Sequence, residues 1–341
     1  MKQVQKVLRK IFKKLNLGKI KEVIEDSTSM YKVTTEDKSY IVKHYNKNDI
    51  KNNEDLLNKQ RQIAISTKLS ENGVPTITPL SFDSKYLIKY QKDYFLVYDS
   101  YTSKPISYGE LSKKSIKKIA NTLAIIHKLN ITTNLPYLYK KTTIDLIKYS
   151  DQINNEELRV LINDNNTKLQ KYINNCNNSI DLIKEELCIS INNYNLENIL
   201  WENDYIYLVN FDEVTLSNPI VSLIEISFNL SNNDNEFNLD FYKEFLTTYL
   251  KKYGDINLDF DIALNTSMNI KLQELEVMLT NNKAAAAIKL IKEILLFIDN
   301  KDNMLNCFND YNKELIEKKN KKKKKKKKSD IIQSYNNIIE S

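Results

Sequence analysis

The side chains in this sequence that could act together chemically are Asn193, Asn198, Asn210 and Asp212, carried on the stretch LCISINNYNLENILWENDYIYLVNFDEVTLSNP from Leu187 to Pro219. Phosphoryl transfer to a hydroxyl can be run by three residues in such a layout. An Asp orients and deprotonates the nucleophile; an Asn five residues later and a second Asp on the following strand hold magnesium on nucleotide phosphates. Here Asn193 precedes Asn198 by five residues, and the apolar run Tyr205–Val209 leads into Asn210-Phe211-Asp212. The spacing suits the chemistry, but amides stand at 193 and 210. An amide can orient a hydroxyl and cannot take its proton, and loss of a positioned base typically removes about 10²–10⁴ in rate. A neutral amide oxygen can coordinate magnesium yet offsets none of the charge that one or two carboxylates normally balance. Asp212 could reach the place Asn210 leaves if the segment is extended, because residues two apart in a strand share a side. The competing reading gives Asp212 a supporting or surface role.

Elements able to position these residues are legible along the chain. Residues 2–17 place Val4, Val7, Leu8, Ile11, Phe12 and Leu15 at helical spacing with lysines between and Gly18 as a stop. This amphipathic helix, within a segment 1–18, either packs on its own domain or lies on a membrane surface; packing is preferred. Alternation from Lys19 to Tyr45 predicts a β-hairpin turning at 36–38, and 49–72 reads as a helix ending at Gly73. Two more strands are expected at 86–90 and 94–98. Beyond Pro105 the pattern is helical, with helices expected at 111–129, 155–175, 217–230, 236–252, 262–280 and 284–316. Short strands near 188–191, 198–202 and 205–210 interrupt them. The expected class is α+β, with a small antiparallel β lobe at 19–104 and a larger, mainly helical lobe at 105–317 containing a catalytic-loop region at 187–223.

Composition narrows the partners. The chain has 341 residues, 41% of them hydrophobic, enough for a sizeable core. The net charge of +7 comes from one run: Lys318, Lys319 and Lys321–Lys328 are ten lysines, and without them 41 basic side chains face 44 acidic ones, a net −3. The body is therefore not a nucleic-acid-binding surface by composition. Residues 318–341 are expected as a disordered, solvated tail. Its alternative role, with the basic N-terminal helix, is contact with acidic surfaces. Three scattered cysteines, no apolar run near the ~18 residues of a membrane span, and no secretion-type N-terminus point to a reducing cytoplasm.

Taken in order, the motifs resemble the aminoglycoside phosphotransferase and choline kinase-like superfamily, which includes bacterial relatives found in spore coats. Tyr40-Ile41-Val42-Lys43 matches the strand with the phosphate-pairing Lys; Leu69, Gly73 and Pro75 match the helix–loop signature; Leu123-Ala124-Ile125-Ile126-His127 matches a Leu-Ala-x-x-His element. Ser190-Ile191-Asn192-Asn193 with Asn198-Ile199-Leu200-Trp201, then Val209-Asn210-Phe211-Asp212 and Asn218-Pro219-Ile220-Val221-Ser222-Leu223, follow the remaining motifs. The resemblance runs from about residue 20 to 252 and implies a two-lobed protein-kinase-like fold. It implies Lys43 and Asn198 as nucleotide-binding residues, Asn198 and Asn210 around a metal, and Asn193 at the base position; Asp212 joins the metal candidates through the strand argument alone. The departures are as specific: Ile191 replaces the motif His, Asn193 the base Asp, Asn210 the metal Asp, and Ser222 a supporting acid. No glycine occurs in the expected phosphate loop at 26–29. The helix acid expected to pair with Lys43 aligns with Gln62, with Glu54 or Asp55 as alternatives.

Three functions follow as expectations. The first is a catalytically impaired pseudokinase that binds a nucleotide or small molecule, its use of ATP and Mg2+ weakened or lost. The second is an active ATP-dependent small-molecule phosphotransferase using Asp212 for the metal. The third is a non-catalytic interaction protein that keeps only the fold. Tyr98, Asp99 and Tyr101 lie where backbone and an aromatic ring could hold an adenine. His127, with no acid or nucleophile in register, reads as a packed helix residue.

Overall fold

The structure is a computed structural model describing residues 2–339 apart from 28, 130, 132, 133, 153, 184, 185, 193, 234, 235, 255 and 257. The alternating stretch after Gly18 forms three antiparallel strands instead of a single hairpin: β1 (Ile20–Ser27), β2 (Met30–Thr35) and β3 (Ser39–Tyr45). Thr35 closes the β2–β3 turn. Its hydroxyl donates to the Lys38 carbonyl (2.8 Å) and accepts from the Asp37 and Lys38 amides. The next helix, α2 (Asn53–Glu71), starts later than expected because Asn52 caps it, its side chain accepting from the Asp55 amide (2.9 Å). It ends before Gly73, whose φ of +79° suits a residue without Cβ. Strands β4 (Ile88–Tyr90) and β5 (Asp93–Asp99) complete, among the described residues, a five-stranded antiparallel sheet in the order β1-β2-β3-β5-β4.

The period of two along β3 sorts its side chains. Tyr40 and Val42 join a core formed with Leu8, Ile11 and Phe12 of the N-terminal helix α1 (Lys2–Lys14). Phe12 is fully buried, edge-on to Tyr40 with ring centroids 5.3 Å apart, while Lys6, Arg9, Lys10, Lys13 and Lys14 are exposed. Tyr45 points the other way, into a cluster with Leu96 of β5 and Ile63 of α2. Helices α1 and α2 thus cover opposite faces of one sheet, and Lys43 shares the α2 face with Tyr45.

Later segments join this first unit, which comprises Met1–Leu138 and Leu187–Pro219. It includes β6 (Lys104–Pro105), α3 (Lys113–Lys128), β7 (Cys188–Ile191), β8 (Ile199–Glu202), β9 (Tyr205–Leu208) and β10 (Val214–Ser217). Strands β8 and β9 form a hairpin joined on one side by β6, and β7 pairs with β10, a strand the sequence pattern did not announce. The Tyr194 hydroxyl donates to the Ile119 carbonyl of α3 (3.0 Å) and anchors the loop after β7. The boundary expected at 104/105 therefore falls inside this unit.

The second unit, Tyr139–Glu186 and Ile220–Ser341, is mainly helical. It holds α4 (Leu146–Gln152), α5 (Glu156–Ser179), α6 (Pro219–Ser231), the short pair β11 (Asn232–Asn233) and β12 (Glu236–Phe237), α7 (Leu239–Tyr253), α8 (Phe260–Thr266), α9 (Asn269–Thr280) and α10 (Ala284–Ile339). The helix expected over 262–280 is two helices. Tyr172 explains the break: its hydroxyl donates to the Leu264 carbonyl (2.9 Å) and accepts from the Met268 amide (3.3 Å), satisfying both at the junction. Where a disordered tail is expected over 318–341, the structure continues α10 to Ile339. Lysine is a good helix former, and extending an existing helix needs no new nucleus.

Two stability outcomes follow. Phe12→Ala removes a fully buried ring joining α1 to the sheet and should lower stability by about 3–5 kcal/mol, measured from urea unfolding midpoints. Among the described side chains of α10 the last buried one is Cys307, and the residues from Lys313 to Lys321 are half-exposed or exposed. Truncation after Glu317 should therefore shift the thermal midpoint by no more than about 2 °C, read by circular dichroism.

Candidate functional site

One cluster in the first unit gathers charge. Lys43 and Tyr45 stand two apart on β3, and the connection from β9 to β10 brings Asn210 and Asp212 against them. The Lys43 Nζ donates to Asn210 Oδ1 (2.8 Å) and forms an ion pair with Asp212 Oδ2. The Tyr45 hydroxyl donates to Asp212 Oδ1 (2.6 Å). From α2, Lys59 places its Nζ 3.6 Å from the same Oδ1 and donates to the Asp212 backbone carbonyl (3.3 Å). Both ammoniums lie over the Tyr45 ring, 5.5 Å from its centroid for Lys43 and 5.3 Å for Lys59, the cation–π arrangement. All three charged side chains are mostly buried, with exposures of 18% for Lys43, 19% for Lys59 and 25% for Asp212.

The local backbone explains how Asn210 and Asp212 meet one ammonium. Residues 209–211 follow β9 in irregular conformation, and Asn210 has φ +62°. Asparagine tolerates this left-handed region better than most residues. Phe211 is buried between the two polar residues. A left-handed kink at Asn210, and not the strand alternation expected, puts both side chains on Lys43.

Electrostatics fix the protonation states. Burial pushes the Asp212 carboxyl up, but the charges of Lys43 and then Lys59, with the hydrogen bonds from Lys43 and Tyr45, hold it below the usual carboxylate range. Burial, then the Asp212 charge, raises the Tyr45 phenol far above its ordinary value, and the same causes raise Tyr98. Tyr45 therefore stays a neutral donor. Two ammoniums against one carboxylate give the cluster a net charge of +1. At about 4 Å and an effective dielectric near 20, one pair of unit charges interacts by roughly 4 kcal/mol, so the excess at these three side chains favours an anion; the Asp49 carboxylate also acts on Tyr45.

The other expected residues fall out as follows. The Asn198 carbonyl accepts from the Val209 amide (3.1 Å), which sets Asn198 beside the start of the 209–211 segment, and its side-chain amide donates to Asn195 Oδ1 (2.9 Å). Asn193 lies outside the described residues. Ser222 is fully buried on α6 in the second unit. The expectation that Gln62, Glu54 or Asp55 pairs with Lys43 is corrected: its partners are Asn210 and Asp212. The carboxylate of Asp55 turns back to accept from the Lys51 amide (2.9 Å), and Gln62 leaves Oε1 buried without a hydrogen-bond partner. His127 is buried on α3, and burial pushes its pKa down to about 3, so the imidazole is neutral. Sequence reasoning missed Lys59. Its signal was present: it precedes Ile63 by one helical turn, and Ile63 faces the sheet.

The resemblance implies magnesium, and the donors can be tested against it. A hard divalent cation needs free oxygens, preferably carboxylate. Asn210 Oδ1 already accepts from Lys43, Asp212 Oδ2 pairs with Lys43, and Oδ1 receives Tyr45 and faces Lys59. These residues do not fit a metal in this arrangement. They do fit an anion, since two ammoniums are present where one carboxylate balances only one of them.

Compared as a sequence, the chain matches no family model and no curated protein. Compared as a structure, it is similar to the AMP-bound complex of spectinomycin phosphotransferase APH(9)-Ia, with a TM-score of 0.65 and 18% identity over 85% of this chain and 94% of that one. It is also similar to choline kinase LicA from Streptococcus pneumoniae (TM-score 0.54, 14% identity, 87% and 99% covered). Amicoumacin kinase hAmiN, in complex with AMP-PNP, Ca2+ and Ami, is a further neighbour (TM-score 0.56, 14% identity, 87% and 93% covered). The fold is that of the aminoglycoside phosphotransferases and choline kinases. In this two-lobed α+β kinase-like fold, the antiparallel sheet carries Lys43, as expected from the order of the motifs.

The ionised state of Asp212 has a pH signature. Its pKa in the folded protein is below the unfolded value near ~3.9, so its contribution to stability is present above that value and lost as pH falls through the folded pKa. Asp212→Asn should therefore be less stable than wild type at pH 7, with the gap closing below about pH 4. Urea unfolding midpoints of both proteins across that range check it.

Proposed function

We propose that the protein is a catalytically impaired kinase of this fold, a pseudokinase that binds a nucleotide of the ATP class and takes a small-molecule ligand. The observation that carries the reading is the engagement of Asp212, the one carboxylate among the three residues expected around a metal, by Lys43, Lys59 and Tyr45. Lys43 stands on a sheet strand where a phosphate-pairing lysine is expected. The amides at 198 and 210 add no charge that would recruit a metal, and the amide at 193 cannot accept a proton. The solved structures of spectinomycin phosphotransferase and amicoumacin kinase hold AMP, ADP or AMP-PNP, which supports a nucleotide as ligand. Tyr98, half-buried against the cluster that holds Tyr45 and acted on by the Asp212 charge, is the aromatic we assign to the base. The three cysteines are free and buried, in keeping with a cytoplasmic protein.

A second reading, an active small-molecule phosphotransferase with Asp212 in the displaced acid's role, is favoured by one fact. Asp212 is held ionised and shares Lys43 with Asn210. The two readings separate in one set of measurements. On the proposed reading, ATP gives saturable heat in calorimetric titration, ATP turnover is near background, and Asn210→Asp makes binding stronger in the presence of Mg2+ by adding a charged ligand. Robust wild-type phosphoryl transfer that is lost in Asp212→Asn would establish the second reading instead.

A further inference from the structure

We infer that Lys59 is a phosphate ligand of this site, supplying from α2 the positive charge that a divalent metal supplies elsewhere in this chemistry, so that a nucleotide triphosphate binds without metal. The inference rests on the nucleotide-binding reading above and says what that binding requires.

Lys59 and Lys43 reach the same carboxylate from different elements, and they are not equivalent. Lys43 is committed to Asn210 Oδ1 at 2.8 Å and to Asp212 Oδ2. Lys59 holds only longer contacts, 3.3 Å to a backbone carbonyl and 3.6 Å to Oδ1. An ammonium has three donors, so Lys59 can turn toward an arriving anion while Lys43 and Tyr45 keep Asp212 satisfied. The Tyr45 ring under both ammoniums tolerates either position. Tyr45 does not ionise, so it cancels none of the excess charge.

Among the described residues no acid of α2 is paired with Lys43 or Lys59, whose carboxylate partner is Asp212. Gln62 carries no charge, and the carboxylate of Asp55 is used at the helix start. A phosphate group arriving here meets two ammoniums and one balanced carboxylate. A divalent cation at the same carboxylate meets the same two ammoniums as repulsion. The arrangement thus exchanges a metal-bridged phosphate for one bound directly by lysine, which serves well as a phosphate-binding point charge.

The test is calorimetric titration of the full chain with ATP, in EDTA and in Mg2+, for wild type, Lys59→Gln and Lys59→Arg, each checked for an unchanged thermal midpoint. Wild-type affinity in EDTA should lie within about threefold of that in Mg2+. Loss of one charge-assisted contact should weaken Lys59→Gln by about 10- to 100-fold in EDTA, and Lys59→Arg should recover most of it. Binding that requires Mg2+, or a folded Lys59→Gln that binds like wild type, overturns the role of Lys59 and leaves the nucleotide site standing. If Lys59→Gln does not fold, the EDTA comparison on wild type decides alone. No ATP binding in either buffer overturns both readings.

Discussion

A carboxylate buried beneath a β-sheet must be matched, and the first unit is organised around matching Asp212. One side chain from β3, a second from the same strand and a third from α2 converge on it, although they lie more than 150 residues away in sequence. Removing one partner of a buried ion pair typically costs about 3–5 kcal/mol because the other charge is stranded. The register of β3, the face that α2 presents and the kink at Asn210 are thus coupled: none can shift alone without exposing or orphaning that charge. The α1 helix contributes from behind, since the core it forms with Tyr40 and Val42 fixes which side of β3 carries Lys43.

The same constraint sets the chemistry. With acids at the amide positions, this arrangement would gather negative charge and draw in a cation. With amides there and two lysines on the remaining carboxylate, the sign of the excess is reversed. Burial then amplifies the difference, because charges in a mostly desolvated cluster are poorly screened. Geometry inherited with the fold and electrostatics particular to this chain therefore point in different directions, which is why the fold by itself is a weak guide to activity.

Much of this was legible in the sequence because the informative signals were local. Alternation marked β3, Gly73 marked the end of α2, and the order of the motifs singled out Lys43, Asn210 and Asp212. What was missed depended on pairing or on a single conformational angle. Strand β10 is four residues long and has no period that stands out from its surroundings. The break between α8 and α9 comes from a tyrosine on α5, nearly a hundred residues away. Lys59 was one lysine among many until its helix face was fixed against the sheet. The lysine run has no apolar period, so nothing local in it signals the continuation of α10.

The left-handed backbone at Asn210 carries an evolutionary consequence. Asn and Asp both visit this conformation more readily than most residues, and in the genetic code they stand one transition apart. Exchange at this position leaves the kink, the burial of Phe211 and the reach of Asp212 in place while changing the charge by one. The site therefore sits a single nucleotide from a different ionic preference, with no backbone rearrangement standing between the two states.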